Sequence, residues 1–374
     1  MMIGIARVRF AWTGFLISIL IAGAACILRA QATPSPALLI LAKRDMTLAI
    51  VDPATLKVVS KVPAGPDPHE VIASSDGKLA FISNYGGGAY NTISIADLDA
   101  QKALPRFDLG PLRGPHGLYF AGGKLYFTVE VNKAIGRYDP AAHKVDWVLG
   151  TGQNRTHMVW VSKDLNRIFT SNVSSGTISI IEKTSGPAGG FGPPPGGPGG
   201  SNGPPPGPPP GAPPGTGGPP PGPPRSDWNE TVVRVGGGSE GFDVSPDGKE
   251  LWVGNAQDGT ISIIDLASKK VIQTLNANVR GANRLKFTLD GSMVFVSSLG
   301  QGTLAVFNAA SRQEAKRIPI GHGAAGILMQ PDGSRVFVAC SPDNYVAVID
   351  VKTLDVTGHL DVGHDPDGMA WATR

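Results

Sequence analysis

Cysteine is nearly missing from this chain. Cys26 and Cys340 are the only two among 374 residues, which excludes a disulfide-stapled scaffold. Cys26 lies in an apolar leader, and Cys340, closing "SRVFVAC", reads as a small buried hydrophobe rather than a nucleophile. Charge is also scarce, at 17% of residues. The leader carries Arg7, Arg9 and Arg29 and no acid, so the formal charge of +3 falls to zero without it. No basic face remains for nucleic acid, and nucleic-acid partners are excluded. The chain also has no nucleotide-binding loop, no compact nucleophile motif and no strong paired-metal signature. What it has is 41% hydrophobic residues, which suits a folded body, with 50 glycines and 33 prolines whose excess is local.

Part of the apolar content belongs to residues 1–32. "MMIGIARVRF" supplies two arginines, "AWTGFLISILIAGAAC" an apolar core, and Ala30-Gln31-Ala32 a small-residue cleavage site. This is the pattern of a signal peptide cleaved near Ala32, and it implies export to a periplasmic or extracellular location. The alternatives are an uncleaved membrane anchor and lipidation at Cys26, and either attaches the chain to the envelope.

Residues 33–374 carry a repeat. "EGFDVSPDGKELWVGNAQDGTISIIDLASKKVIQTL" reads as four strands separated by Pro, Asp and Gly turns, and "GILMQPDGSRVFVACSPDNYVAVIDVKTLDVTGHL" repeats it. "HEVIASSDGKLAFISNYGGGAYNTISIADL" is a third copy, and "NRLKFTLDGSMVFVSSLGQGTLAVFNA" a weaker one. The first strands begin at His69, His116, His157, Glu240, Asn283, Ala325 and Asp367, spaced by 47, 41, 83, 43, 42 and 42 residues. The outlying interval holds the Pro/Gly-rich tract of residues 186–224, expected to be a flexible insertion between the third and fourth strands of one unit. It has no glycine at every third position, which excludes collagen. An attachment element for an envelope partner is its alternative role.

Six units are complete and the seventh is split. "GHDPDGMAWAT" supplies its first strand from the C-terminus, and "ALLILAKRDMTLAIVDPATLKVVSKV" supplies the other three from the N-terminus. Complementary half-units close a circle without leaving an unpaired edge. The expected fold is therefore all-β: a seven-bladed β-propeller of four-stranded antiparallel blades, its closing blade shared by the two termini. "FISNY", "FTSNV" and "WVGNA" at the ends of second strands, with "SPDGK" followed by "TISIID", resemble the bacterial YVTN family of seven-bladed propeller repeat proteins. The resemblance covers most of residues 38–374 and implies the fold rather than a chemistry. In "YFTVE", "FVSSL" and "FVACS", Val129, Ser298 and Cys340 replace the family's asparagine. A looser similarity to streptogramin lyases implies lyase activity, but no run carries their catalytic residues onto this chain.

Seven strand starts in one phase surround one axial mouth. His69, His116 and His157, from consecutive units, offer imidazole nitrogens suited to zinc or copper, with Glu240 as an oxygen donor. A polar, water-filled ring is the plainer alternative. Asn283 and Asp367 share the phase, and Asp367 is placed to stabilise His69 across the joined blade. Three residues earlier lie Pro66, Arg113, Asn154, Gly237, Arg280, His322 and His364. Arg113 and Arg280 there suit a carboxylate or phosphate, and His322 and His364 extend the same surface. The expected protein is a monomeric, exported recognition or scaffold propeller that takes a small polar or anionic ligand, or a cell-envelope protein or polymer, at this mouth. Metal-assisted lyase or other enzyme chemistry on the His/Glu ring is the alternative.

Overall fold

The computed structural model describes residues 31–186 and 225–374. The leader, with Arg7, Arg9 and Cys26, and most of the Pro/Gly tract lie outside the described residues. Seven four-stranded antiparallel sheets form the blades of a propeller. Numbered from the first complete unit, the innermost strands are Pro68–Ala73, Pro115–Ala121, Thr156–Val161, Ser239–Val244, Ala282–Phe287 and Ala324–Met329 in blades 1 to 6. Blade 7 runs Pro366–Ala372, Ala37–Ala42, Thr47–Asp52, Lys57–Pro63 from the axis outward, so the C-terminal strand pairs with the first N-terminal strand, Leu39 opposite Ala370.

Local chemistry explains the strand breaks. In "SPDGK" the Ser245 hydroxyl donates to Asp247 at 2.7 Å and accepts the Glu250 amide at 2.9 Å, while Gly248 takes a φ of +71°. Ser74 with Asp76, and Thr288 with Asp290, repeat that turn. The second strands are buried on both faces because each blade is covered by its neighbours. An aromatic ring fills each of the first six: Phe81, Tyr126, Phe169, Trp252, Phe295 and Phe337 are all buried. In blade 3 the third and fourth strands, Thr177–Gly186 and Arg225–Arg234, are ten residues each and pair up to Gly186 opposite Arg225. They outrun the expected "TISIIEK" and "ETVVRV", and the described residues of this pair end at Gly186 and Arg225.

Candidate functional site

Each expected strand start is the second residue of its innermost strand, and there the pairing breaks. Register to the second strand holds at Pro68, Pro115, Thr156, Ser239, Ala282 and Ala324, then slips before resuming three residues later. Such bulges re-aim side chains. They also free a backbone amide, and a hydroxyl from the second strand accepts it: Ser83 from Glu70, Thr128 from Gly117, Ser171 from Met158, Ser297 from Arg284. The Thr128, Ser171 and Ser297 hydroxyls donate in turn to the next blade, to the carbonyls of His157, Glu240 and Ala325 at 2.6, 2.5 and 2.7 Å. Gly117 completes the close approach, because a Cβ there would stand 2.4 Å from the His157 carbonyl oxygen.

The bulges bring the side chains of five consecutive blades into one arc. Asp367 Oδ2 lies 3.8 Å from His69 Nε2. The His69 and His116 rings are 4.5 Å apart between centroids, and His116 and His157 only 3.7 Å. His157 Nε2 is 2.8 Å from Glu240 Oε2 but has no hydrogen-bond partner, so that contact is an ion pair outside hydrogen-bonding geometry. Asn283 is buried farther round the ring, and Ala325 brings no polar group.

Four further groups complete the arc. Glu130 accepts from His157 Nδ1 at 2.5 Å, and its other oxygen accepts from the Tyr85 hydroxyl at 2.5 Å and from Arg155 Nε at 3.4 Å. Lys43 Nζ lies 3.3 Å from Asp367. Lys43, Tyr85 and Glu130 occupy one repeat position, immediately after the second strands of blades 7, 1 and 2. Val173, Ala256, Leu299 and Ser341 hold it in the other blades. A run of long polar side chains in three adjacent blades, next to the short Ser341, is the sequence signal for these residues. Arg155 has its own signal. Its φ is +54°, at a position filled by Gly114, Gly238, Gly281 and Gly323 in other blades, all with positive φ. A side chain there costs about 1 kcal/mol. Below the arc, Arg284 reaches from blade 5 to Glu70 in blade 1 and ties opposite sides of the ring together.

Charge states follow from these contacts. Burial favours neutral imidazole at His116, and the charges of His157 and His69 add to it, so its pKa falls well below the usual histidine range. Burial also lowers His69, against an opposing pull from Asp367. At His157 burial acts in the same sense, but Glu240 and Glu130 outweigh it and raise the pKa. Burial disfavours ionised Glu240, yet His157, Arg284 and Arg155 bring its pKa down to about 2. Glu130 is lowered too, with His157 the main opponent of its burial. The arc thus places two imidazoles whose surroundings favour the neutral form beside one, between two carboxylates, whose surroundings favour the charged form. Proton exchange and metal coordination are both within its chemistry.

The outer register does not converge. His322 is 81% exposed and pairs with Asp343, and His364 is 61% exposed and pairs with Asp45 at 2.8 Å. Arg113 and Arg280 are exposed, and Arg113 donates to the Ala89 carbonyl. No contact joins Arg113 to Arg280 among the described residues. The arginines at the mouth are Arg155 and Arg284.

No protein-family model matches the chain, and no curated protein matches it in sequence. Solved structures do. A functionally unknown protein from Desulfotomaculum acetoxidans superposes with a TM-score of 0.67 at 12% identity, over 91% of this chain and 99% of that one. A Bacteroides uniformis protein, provisionally assigned as a 6-phosphogluconolactonase, gives 0.65 at 14% over 90% and 99%. Hydrazine synthase of Kuenenia stuttgartiensis gives 0.60 at 16% over 87% and 98%. At such identities the likeness carries the architecture alone: the chain shares a seven-bladed β-propeller fold with these proteins.

Proposed function

We propose that the chain is an exported binding propeller whose axial mouth takes a small polar ligand with anionic ends. The observation that carries this reading is a pair of buried imidazole nitrogens without a partner, His69 Nδ1 and His116 Nδ1. Buried polar atoms left unpaired destabilise a fold, so two on adjacent rings favour a bound partner. The arc also has a cation at each end, Lys43 beside Asp367 and Arg155 beside Glu130 and Glu240. We read these two cations as the partners of an anion charged at both ends, such as a short dicarboxylate. Export rests on the leader pattern.

Calorimetric titration of tag-free protein with succinate tests the reading. Saturable binding to one site is expected, weakened at least about tenfold by Arg155→Gln, the loss of one charge-assisted contact. No saturable heat with succinate or inorganic phosphate would count against the small-anion reading and turn attention to an envelope protein or polymer. A second reading, acid–base catalysis on the bound molecule, draws on the hydrogen-bonded line from the Tyr85 hydroxyl through Glu130 to His157, with Glu240 ion-paired beyond it.

A further inference from the structure

We propose that His116, Glu130 and His157 form a divalent transition-metal site in the floor of the mouth, with zinc as its natural probe. This rests on the reading of the mouth as a binding site, and it replaces the His69, His116, His157 and Glu240 set suggested by strand phase. One donor atom from each of the three residues lies within 4.8 Å of the other two. All three residues are buried, at 1%, 6% and 2% exposure. Two imidazoles and one carboxylate are a donor set of zinc sites that keep a coordination position open for water or substrate.

The distances suit closure on an ion. With bonds of about 2.0–2.1 Å, tetrahedral donors stand roughly 3.3–3.4 Å apart. The 2.5 Å contact between His157 Nδ1 and Glu130 opens by under 1 Å, and no donor pair closes by more than about 1.5 Å. Both changes require the His116 and His157 rings to turn out of their 34° stack, because an imidazole lone pair lies in its ring plane. His116 brings a buried nitrogen, Nδ1, that nothing in the protein satisfies.

The surroundings hold these donors as metal sites hold theirs. Tyr85 and Arg155 fix the second oxygen of Glu130, leaving Oε1 turned toward His157. Metal binding would release the His157 Nδ1 proton to solvent, leaving the remaining proton on Nε2, 2.8 Å from Glu240, in the carboxylate–histidine–metal order that orients imidazole ligands. Met158 and Gly117 anchor their amides on the second-strand hydroxyls, so the strands bearing both histidines are pinned. His69 stays outside the three and is free to meet an organic ligand beside the ion.

The test uses tag-free, chelator-stripped protein titrated with zinc against a chromophoric chelator, with metal analysis after dialysis. Cobalt then replaces zinc to report coordination through its visible bands. One zinc per chain is expected. Glu130→Gln and His116→Asn should each weaken it by at least about 100-fold, whereas His69→Ala should change it less than tenfold. Using both Glu130→Gln and His116→Asn keeps the test open should one variant fail to fold. Absence of stoichiometric zinc binding overturns the proposal. So does a pattern in which His69→Ala abolishes binding and Glu130→Gln leaves it intact. Succinate titration on the same samples separates the two readings: succinate bound without zinc removes the metal site and keeps the mouth, and neither bound removes both.

Discussion

Two rings of polar residues share the mouth-side ends of the innermost strands, three residues apart in the repeat, and they behave differently. In the outer ring His322 and His364 each meet one loop aspartate, Asp343 or Asp45, in water. In the inner ring His116 and His157 are stacked, buried and flanked by Glu130 and Glu240. The residue types are the same and the charges are of the same kind. Desolvation makes the difference: an exposed pair gains little because water solvates both partners well, while a buried one sets the charge state of its members. Position relative to the bulge therefore matters more than the presence of a histidine.

The largest way to break this contrast is to push the inner ring apart. Gly117→Ala places a Cβ 2.4 Å from the His157 carbonyl oxygen and 2.7 Å from Met158 Cα, both backbone atoms. It should destabilise the protein by about 3 kcal/mol, at the upper end of overpacking, and lower the thermal midpoint accordingly. Gly358→Ala, where an added Cβ meets open space, serves as control and should be close to neutral. An equal effect of the two would mean that blades 2 and 3 do not depend on close strand approach.

A smaller effect tests the charges. Glu240 has a folded pKa of about 2 against an ordinary 4.5, so its contribution to stability is complete above pH 4.5 and is lost as pH falls toward 2. His157 has the opposite sign. Its pKa is raised above 6.5, so its contribution is complete below pH 6.5 and disappears as pH rises through the folded value. Glu240→Gln removes the first contribution and reduces the second. Urea midpoints between about pH 2 and 7 should show wild type and variant converging on the acid side and farthest apart between about pH 4.5 and 6.5. A constant gap across that range would separate the loss from ionisation.

The smallest effect is expected outside. His364→Ala removes an exposed pair with Asp45 and should change stability by less than about 0.5 kcal/mol, seen as a thermal midpoint almost unmoved. A loss near that of Gly117→Ala would erase the distinction between the rings.

Much of the scaffold is legible along the chain because its causes are local. "SPDGK" contains the hydroxyl, carboxylate and glycine that its turn uses, and alternating residues in "TISIID" mark a half-buried strand. The split unit specifies closure, since "DGMAWAT" has no partner except strands from the other end. The phase of His69, His116 and His157 is likewise visible in spacing. Glu130 shares a repeat position with Lys43 and Tyr85, but spacing does not show that it meets His157 across a blade boundary. Arg155 was legible in principle, as a large side chain at a position where four other units have glycine. Arg284 pairs with Glu70 214 positions away; both stand one residue after a strand start, so the repeat gives them one register but does not show that they meet across the ring.

What the sequence by itself determined is the set of elements and their order: seven four-stranded units, one of them shared by the termini, with seven strand starts in a common phase. Turn chemistry and side-chain alternation act over a few residues, so they can be read without knowing what lies opposite. Only the tertiary structure decided which side chains meet, and which histidines have surroundings that favour the neutral form and which the charged. Those outcomes depend on bulges that turn side chains toward the axis, on the close passage at Gly117, and on the exclusion of water from the arc. Each arises from surfaces far apart in the chain, where distance and desolvation in space replace spacing along the sequence.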